Sequence, residues 1–194
     1  LPFALWPSTE QGEEKCASGS TVIGPGGQSM IFYTSFGHGI PPSDAPEQWV
    51  ALGDRELLVW RKHRANPILT SDVHDGVQIS EWRDPFVFQH EHSYFMVIGG
   101  KVHRNSRSRA GVMLYRALNQ DLTEWQFVNV LYEWPDAGTR SLECPNLFRF
   151  GDTWLLFFSY HPPPTRTAYL IGTFDTETYT FNPERQGSLD LSPM

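Results

Sequence analysis

The sequence predicts an all-β propeller with about three blades present, on three observations: apolar residues in short runs, frequent turn residues between them, and one order of strands that repeats. Runs such as Met30-Ile31-Phe32-Tyr33, Leu57-Leu58-Val59-Trp60 and Trp154-Leu155-Leu156-Phe157-Phe158 are of strand length. Sixteen glycines and 15 prolines are scattered among them. Only 43–52 and 116–124 have room for a helical turn or two, and neither sustains a 3.6-residue period.

Each repeat has four parts, and successive repeats start roughly sixty residues apart, a spacing in the range of propeller blades. The first repeat runs through 18–23, 29–35, 56–61 and 65–70. The second runs through 83–88, 93–99, 111–116 and 124–128, and the third through 143–150, 153–160, 168–174 and 179–182. The blades are therefore expected at about 18–70, 83–128 and 143–182, within one domain spanning 1–194. A sandwich would also use short strands, but would not require polar residues to recur where each repeat starts. In a propeller the innermost strands line the axis, so their ends converge there from every blade.

Charge and composition narrow the partner. With a formal charge of −7 and a pI near 5.4, the chain lacks the basic surface that nucleic acid or an anionic membrane requires, and a neutral ligand fits better. No run approaches the roughly 18 apolar residues of a membrane span, and Leu1-Pro2-Phe3-Ala4-Leu5-Trp6 lacks the charged start and long apolar stretch of a signal peptide. Cys16 and Cys144 have neither metal-site spacing nor a disulfide framework and are expected to be free and buried. His38, His63, His74, His90, His92, His103 and His161 show no metal-ligand spacing and are expected in solvent or loops; no metal and no cofactor is expected. The basic stretch 101–109 reads as a solvated loop, and His161-Pro162-Pro163-Pro164 as a stiff connection near the channel mouth.

The inner strands begin with Ser18-Gly19-Ser20, Arg83-Asp84-Pro85 and Glu143-Cys144-Pro145. Two carboxylates facing one narrow channel suit glycoside cleavage, in which one group protonates the leaving oxygen while another stabilises an oxocarbenium-like sugar. Arg83 is expected to keep Asp84 ionised, and the apolar neighbours of Glu143 to raise its pKa by desolvation. Taken singly, Asp-Pro and Cys-Pro also mark ordinary turns; their equivalent place in successive repeats is what distinguishes them. Trp49, Trp60 and Trp125 are expected in packing layers, and Trp82, beside Arg83, to face a sugar.

Trp82-Arg83-Asp84-Pro85-Phe86-Val87-Phe88 resembles the Arg-Asp-Pro motif, and Glu143-Cys144-Pro145-Asn146-Leu147-Phe148 the Glu-Cys-Pro motif, of glycoside hydrolase family 32, the invertases, inulinases and levanases. Cys16-Ala17-Ser18-Gly19-Ser20 resembles that family's Phe-Ser-Gly-Ser segment, Leu1-Pro2-Phe3-Ala4-Leu5 its approach to it, and 169–175 its stretch after the acid motif. The resemblance implies a five-bladed propeller, usually followed by a β-sandwich, acting on sucrose or fructans. It implies Glu143 as general acid/base, Asp84 as transition-state stabiliser, Arg83 as the residue orienting the pocket, Ser18 as a sugar contact and Cys144 as a residue behind the acid. It also implies an extracellular location.

The sequence departs from the family pattern in ways that bear on activity. The family nucleophile is an Asp in a Trp-Met-Asn-Asp-Pro-Asn segment, and nothing in these 194 residues matches it. Ala17 stands for the motif's Phe and Asn146 for a common Asp. The expectation is thus a β-fructofuranosidase-type hydrolase carrying the acid and the stabiliser, with a further chain or copy completing the ring. A non-catalytic carbohydrate-binding or assembly module is the alternative, and a five-bladed hydrolase of arabinosides or xylosides is a third reading.

Overall fold

The computed structural model describes residues 3–37, 46–105, 107–161 and 166–189. It contains three four-stranded antiparallel sheets, each with its strands in chain order from the innermost outward. The first holds β1 (Lys15–Ile23), β2 (Ser29–Phe36), β3 (Glu47–Gly53) and β4 (Trp60–Lys62). The second holds β5 (Gln78–His90), β6 (Ser93–Arg104), β7 (Arg107–Ala117) and β8 (Trp125–Glu133), and the third β9 (Ser141–Phe150), β10 (Thr153–His161), β11 (Arg166–Asp175) and β12 (Thr180–Ser188). These are three blades of a propeller. Three short 3-10 turns are the only helical elements among the described residues, and none is long enough to cross a membrane.

Alternation on the middle sheet explains the blade-on-blade packing. Successive side chains on a strand point to opposite faces, so Met96 and Ile98 with Met113 and Tyr115 meet Phe32 and Val50 of the first sheet. Phe95 and Val97 with Val112 and Leu114 meet Leu147, Leu156, Phe158 and Leu170 of the third. The middle sheet is buried on both faces, which is why its strands read as continuous apolar runs. At the closest approach of the second and third blades, a Cβ added to Gly99 would lie 2.0 Å from the Leu142 carbonyl oxygen, so only glycine lets β6 and β9 come together there.

The outer half of the first blade differs from expectation. The third strand is Glu47–Gly53, within the stretch that had room for a helical turn, and 56–61 is mostly a turn leading into β4. Trp49 and Ala51 on one face and Gln48 and Val50 on the other are all buried, a two-sided pattern that a strand supplies. Leu57, Leu58 and Val59 are exposed, because Asp54 closes the turn by accepting from the Leu58 and Val59 amides at 2.9 and 3.1 Å. In place of a full strand, 65–70 makes a single antiparallel bridge to β3, with the Gln48 amide donating to the Leu69 carbonyl at 2.9 Å and the Ile68 amide to the Gln48 carbonyl at 3.0 Å, while the Asn66 side chain accepts from the Val50 N–H and donates to the Val50 carbonyl, both at 2.9 Å. Residues 118–124 form no helix either: Asn119 Oδ1 caps the Thr123 and Glu124 amides in a hairpin loop. Trp49 and Trp125 are buried and Trp60 half-buried. His38 and the triple proline 162–164 lie outside the described residues.

One buried charge ties the N-terminal segment to the first blade. The Glu13 carboxylate is fully buried and accepts from the Ser8 amide at 2.7 Å and the Ser35 hydroxyl at 2.8 Å, while pairing with Lys62. Burial works to raise its pKa, but Lys62 and these donors outweigh it and hold the carboxyl below its ordinary value. Lys62 also lies 5.8 and 5.5 Å from the ring centres of Tyr33 and Trp49.

Two outcomes follow for stability. Leu114→Ala, in the layer between the second and third blades, is expected to cost about 2–5 kcal/mol in urea unfolding, against less than about 0.5 kcal/mol for Leu118→Ala on the exposed loop. Because the folded pKa of Glu13 is lowered, its contribution is complete above the ordinary carboxylate range and is lost as pH falls. The stability gap between wild type and Glu13→Gln is therefore expected to be widest above about pH 5 and to narrow toward pH 3.

Candidate active site

Two bulges in the innermost strand of the middle blade aim its polar side chains. The β5–β6 register shifts between Ser80 and Arg83 and again between Arg83 and Phe86, and Glu81 and Asp84 adopt left-handed backbone with φ of 54° and 68°. Such bulges interrupt pairing and redirect side chains, and they recur beside active sites. Cys144 in β9 has φ of 49°, so the third blade's inner strand is redirected at the corresponding place.

The result is a lattice joining three blades. The Asp84 amide donates to Thr34 Oγ1 of the first blade at 2.9 Å, and Asp84 Oδ2 accepts from the Cys144 amide of the third at 2.9 Å. Further along β5, the Val87 amide donates to Ser20 Oγ of β1 at 3.0 Å. Arg83 Nη2 donates to the Glu143 carboxylate and, at 3.4 Å, to Ser141 Oγ. Arg83 Nη1 donates to Glu81 Oε2 at 3.0 Å, and Arg140 grips Glu81 Oε1 through Nε and Nη2 at 3.1 and 2.8 Å. Ser18 is exposed on β1, and its hydroxyl favours the ionised form of the Cys144 thiol, although burial and nearby carboxylates raise that thiol's pKa overall. Ser18, Arg83, Asp84, Glu143 and Cys144, dispersed over 127 residues of sequence, are thus linked at the inner strands.

Electrostatics at Asp84 run opposite to the sequence-based expectation. Its pKa is raised, because burial outweighs the Cys144 amide and the Arg83 charge that favour ionisation. The geometry gives the reason: Arg83 Nε stands 4.0 Å from Asp84, while both of its terminal nitrogens face other carboxylates. Glu143 is not in the apolar setting expected of it, since it is directly paired with that guanidinium.

Trp82 does not face a sugar. It is 2 % exposed and donates from Nε1 to the Tyr115 hydroxyl at 2.8 Å, in the layer between the first and second blades. His74, expected in solvent, is buried beside it with ring centres 4.9 Å apart. Burial pushes its pKa down to about 4 despite a hydrogen bond to the Ser71 backbone. All three polar tips are satisfied if the neutral imidazole donates to Ser71 and its Nε2 accepts from the Tyr115 hydroxyl at 2.8 Å, which in turn accepts from Trp82. Both cysteines are free thiols, but neither is buried: Cys16 is intermediate and Cys144 exposed. What Cys144 supplies to the cluster is its backbone amide, which goes to Asp84.

Sequence reasoning missed Glu81, Arg140 and Glu13. Glu81 lies two residues before Arg83, a spacing that on a regular strand points both side chains to one face, so it was available as a signal. Glu13 and Arg140 carry no local pattern that marks them. Among the described residues no group of three or more His, Cys, Asp or Glu side chains has an arrangement that could hold a metal ion.

A propeller that gathers an aspartate and a glutamate around one arginine at its inner strands has the architecture of a glycoside-cleaving class of proteins. Residues 1–192 match the description "Glycosyl hydrolases family 32 N-terminal domain", and the chain belongs to that family. It is 28 % identical over 212 residues to an insoluble isoenzyme of β-fructofuranosidase of Arabidopsis thaliana, covering 97 % of this chain and 34 % of the relative. It is 35 % identical over 164 residues to sucrose-6-phosphate hydrolase of Escherichia coli, covering 81 % of this chain and 31 % of the relative. The solved structure of the Bombyx mori family 32 β-fructofuranosidase superimposes with a TM-score of 0.79 at 28 % identity, over 98 % of this chain and 40 % of that one. The chain therefore spans about a third of the length of the curated relatives it matches. The arabinoside and xyloside reading falls away with the family assignment.

The Trp82 cluster carries its own test. Tyr115→Phe leaves the buried Trp82 and His74 nitrogens without a partner and is expected to cost about 1–3 kcal/mol by urea unfolding, with the Trp82 fluorescence maximum shifting.

Proposed function

We propose that this chain supplies the acid and the stabiliser of a β-fructofuranosidase-type site acting on sucrose or a fructan. Glu143 is the general acid/base, Asp84 the stabiliser gripping fructosyl hydroxyls, Arg83 the residue that orients them and Ser18 a sugar contact; Cys144 fixes Asp84 through its amide. The observation that carries this reading is the lattice itself: two carboxylates from neighbouring inner strands meet one guanidinium, and Asp84 is tied to the residue next to Glu143. The relatives are named as a β-fructofuranosidase and a sucrose-6-phosphate hydrolase, names that fit a fructoside substrate.

A retaining mechanism needs a nucleophile roughly 5 Å from the acid, on the other side of the scissile bond. Glu81 is the third carboxylate of the cluster, but it is engaged by two arginines. The nucleophile in this proposal comes from a blade outside these 194 residues, in the same polypeptide or in another copy. The third blade's outer face supports a further blade: Phe148 and Phe150 are exposed on it, and the rings of Phe148, Phe157 and Tyr169 form a row with neighbouring centres 6.1 and 6.3 Å apart. An extracellular location is part of this reading, in line with a Pisum sativum relative named as a cell wall isozyme.

The Arg83–Glu143 pair also favours a second reading, a carbohydrate-binding module without turnover, since a paired and ionised glutamate binds hydroxyls but donates no proton. Fructose release from sucrose, read together with solution size, separates the two. The hydrolase reading expects release by an assembly larger than one 22.2 kDa chain, falling on the order of 10²–10⁴-fold in Glu143→Gln. Fructan binding that is lost in Asp84→Ala, with no release at any size, would establish the binding module instead. Full turnover by Glu143→Gln would sink the assignment of the acid.

A further inference from the structure

Arg83 is divided between two carboxylates. Nη2 serves Glu143 and Ser141, while Nη1 serves the Glu81 carbonyl at 3.2 Å and its carboxylate at 3.0 Å. A guanidinium given wholly to Glu143 would favour its ionised form, the wrong state for a group that must donate a proton. Glu81 stands on the other side of the same guanidinium. Its backbone is held in the left-handed region, at the bulge between Ser80 and Arg83. The side chain is 28 % exposed, and its carboxylate is bonded to Arg83 and Arg140.

We propose that Glu81 is a positioning residue for Glu143: the two carboxylates share Arg83, and Arg140, gripping Glu81 from outside, sets how the cation is divided. The proposal rests on the reading of Glu143 as the acid. Glu81 draws Arg83 away as Glu143 takes up its proton, and Arg140 weakens that draw by neutralising Glu81 in part. Both arginines hold the Glu81 carboxyl below its ordinary pKa against the effect of burial, so it stays ionised while Glu143 cycles. Of the other titratable groups at this end, Asp84 and the Cys144 thiol also face Glu143, whose charge works to raise the pKa of each, and the rest are engaged elsewhere. Asp84 on β5 is bound to the Cys144 amide, His103 on β6 to Ser80 Oγ at 2.7 Å, Arg109 on β7 to the Pro135 carbonyl, and Asp136 to Gly138 and Thr139. Lys101 on β6 stands opposite Ser80 of β5 in the strand register.

The test is a carboxyl NMR titration of the chain labelled with 13C at glutamate Cδ, the Glu143 signal being identified by its disappearance in Glu143→Gln. In Glu81→Gln the Glu143 midpoint is expected to fall by about half a pH unit or more, roughly a threefold loss of proton affinity, because a like charge is removed and Arg83 turns to Glu143. In Arg140→Gln it is expected to rise, because Glu81 then holds Arg83 undivided. Shifts of opposite sign from two adjacent positions are not produced by general loosening of the fold. A midpoint unmoved in either variant, or moved in the same direction by both, would overturn the proposal, and each variant decides alone if the other does not fold. Hydrolysis that survives Glu143→Gln would instead overturn the reading of the acid and leave the titration result standing.

Discussion

The contact between Arg83 and Glu143 crosses from the second blade to the third, and the placement of the other functional groups depends on it. A guanidinium is planar, permanently charged and able to donate from both ends of its fork, so it can hold one carboxylate on its own strand and another on a neighbouring strand at once. Glu81, Ser141 and Glu143 occupy its two terminal nitrogens. Asp84, left at 4.0 Å, accepts from the Cys144 backbone amide instead. The division explains why two carboxylates on adjoining strands have different surroundings: one is buried and bound by a peptide group, the other half-exposed and paired with a cation.

The blades keep that contact in register because the middle sheet is apolar on both faces. Val97 and Leu114 on one side and Ile98 and Met113 on the other are fully buried, so neither neighbour can slide without opening a cavity. Gly99 brings the backbones of β6 and β9 together immediately beside Glu143. The packing layers and the polar lattice are therefore coupled: the same close approach that buries Leu142 delivers the next residue to Arg83.

Strand-length apolar runs and their repetition made the all-β fold and its three blades legible in the sequence, because a sheet buried on both faces leaves an uninterrupted apolar signature. The outer half of the first blade was not legible, since its third strand alternates Gln48 with Trp49 and its turn carries the apolar Leu57-Leu58-Val59 outside. Burial inverted hydropathy there, and a single backbone bridge at Leu69 with the Asn66 side-chain amide took the part of a strand. At the site, Arg83, Asp84 and Glu143 were visible as motif residues. Their electrostatics were not, because sequence adjacency placed Arg83 with Asp84, whereas the bulges turn it toward Glu143. Trp82 was misplaced by the same assumption: nearness in sequence to Arg83 says nothing about which face a bulged strand presents.

Asp84 is bound at both ends of the residue, its amide to Thr34 on the first blade and its carboxylate to the Cys144 amide on the third. A side chain so fixed is held by the fold itself before any ligand arrives. The usual entropic penalty of immobilising a contact residue, about 0.5–1.5 kcal/mol for a flexible side chain, is met when the chain folds and not when a sugar binds. The cost is moved into the stability of the propeller, so that loosening the first or the third blade would also loosen a side chain that belongs to the second.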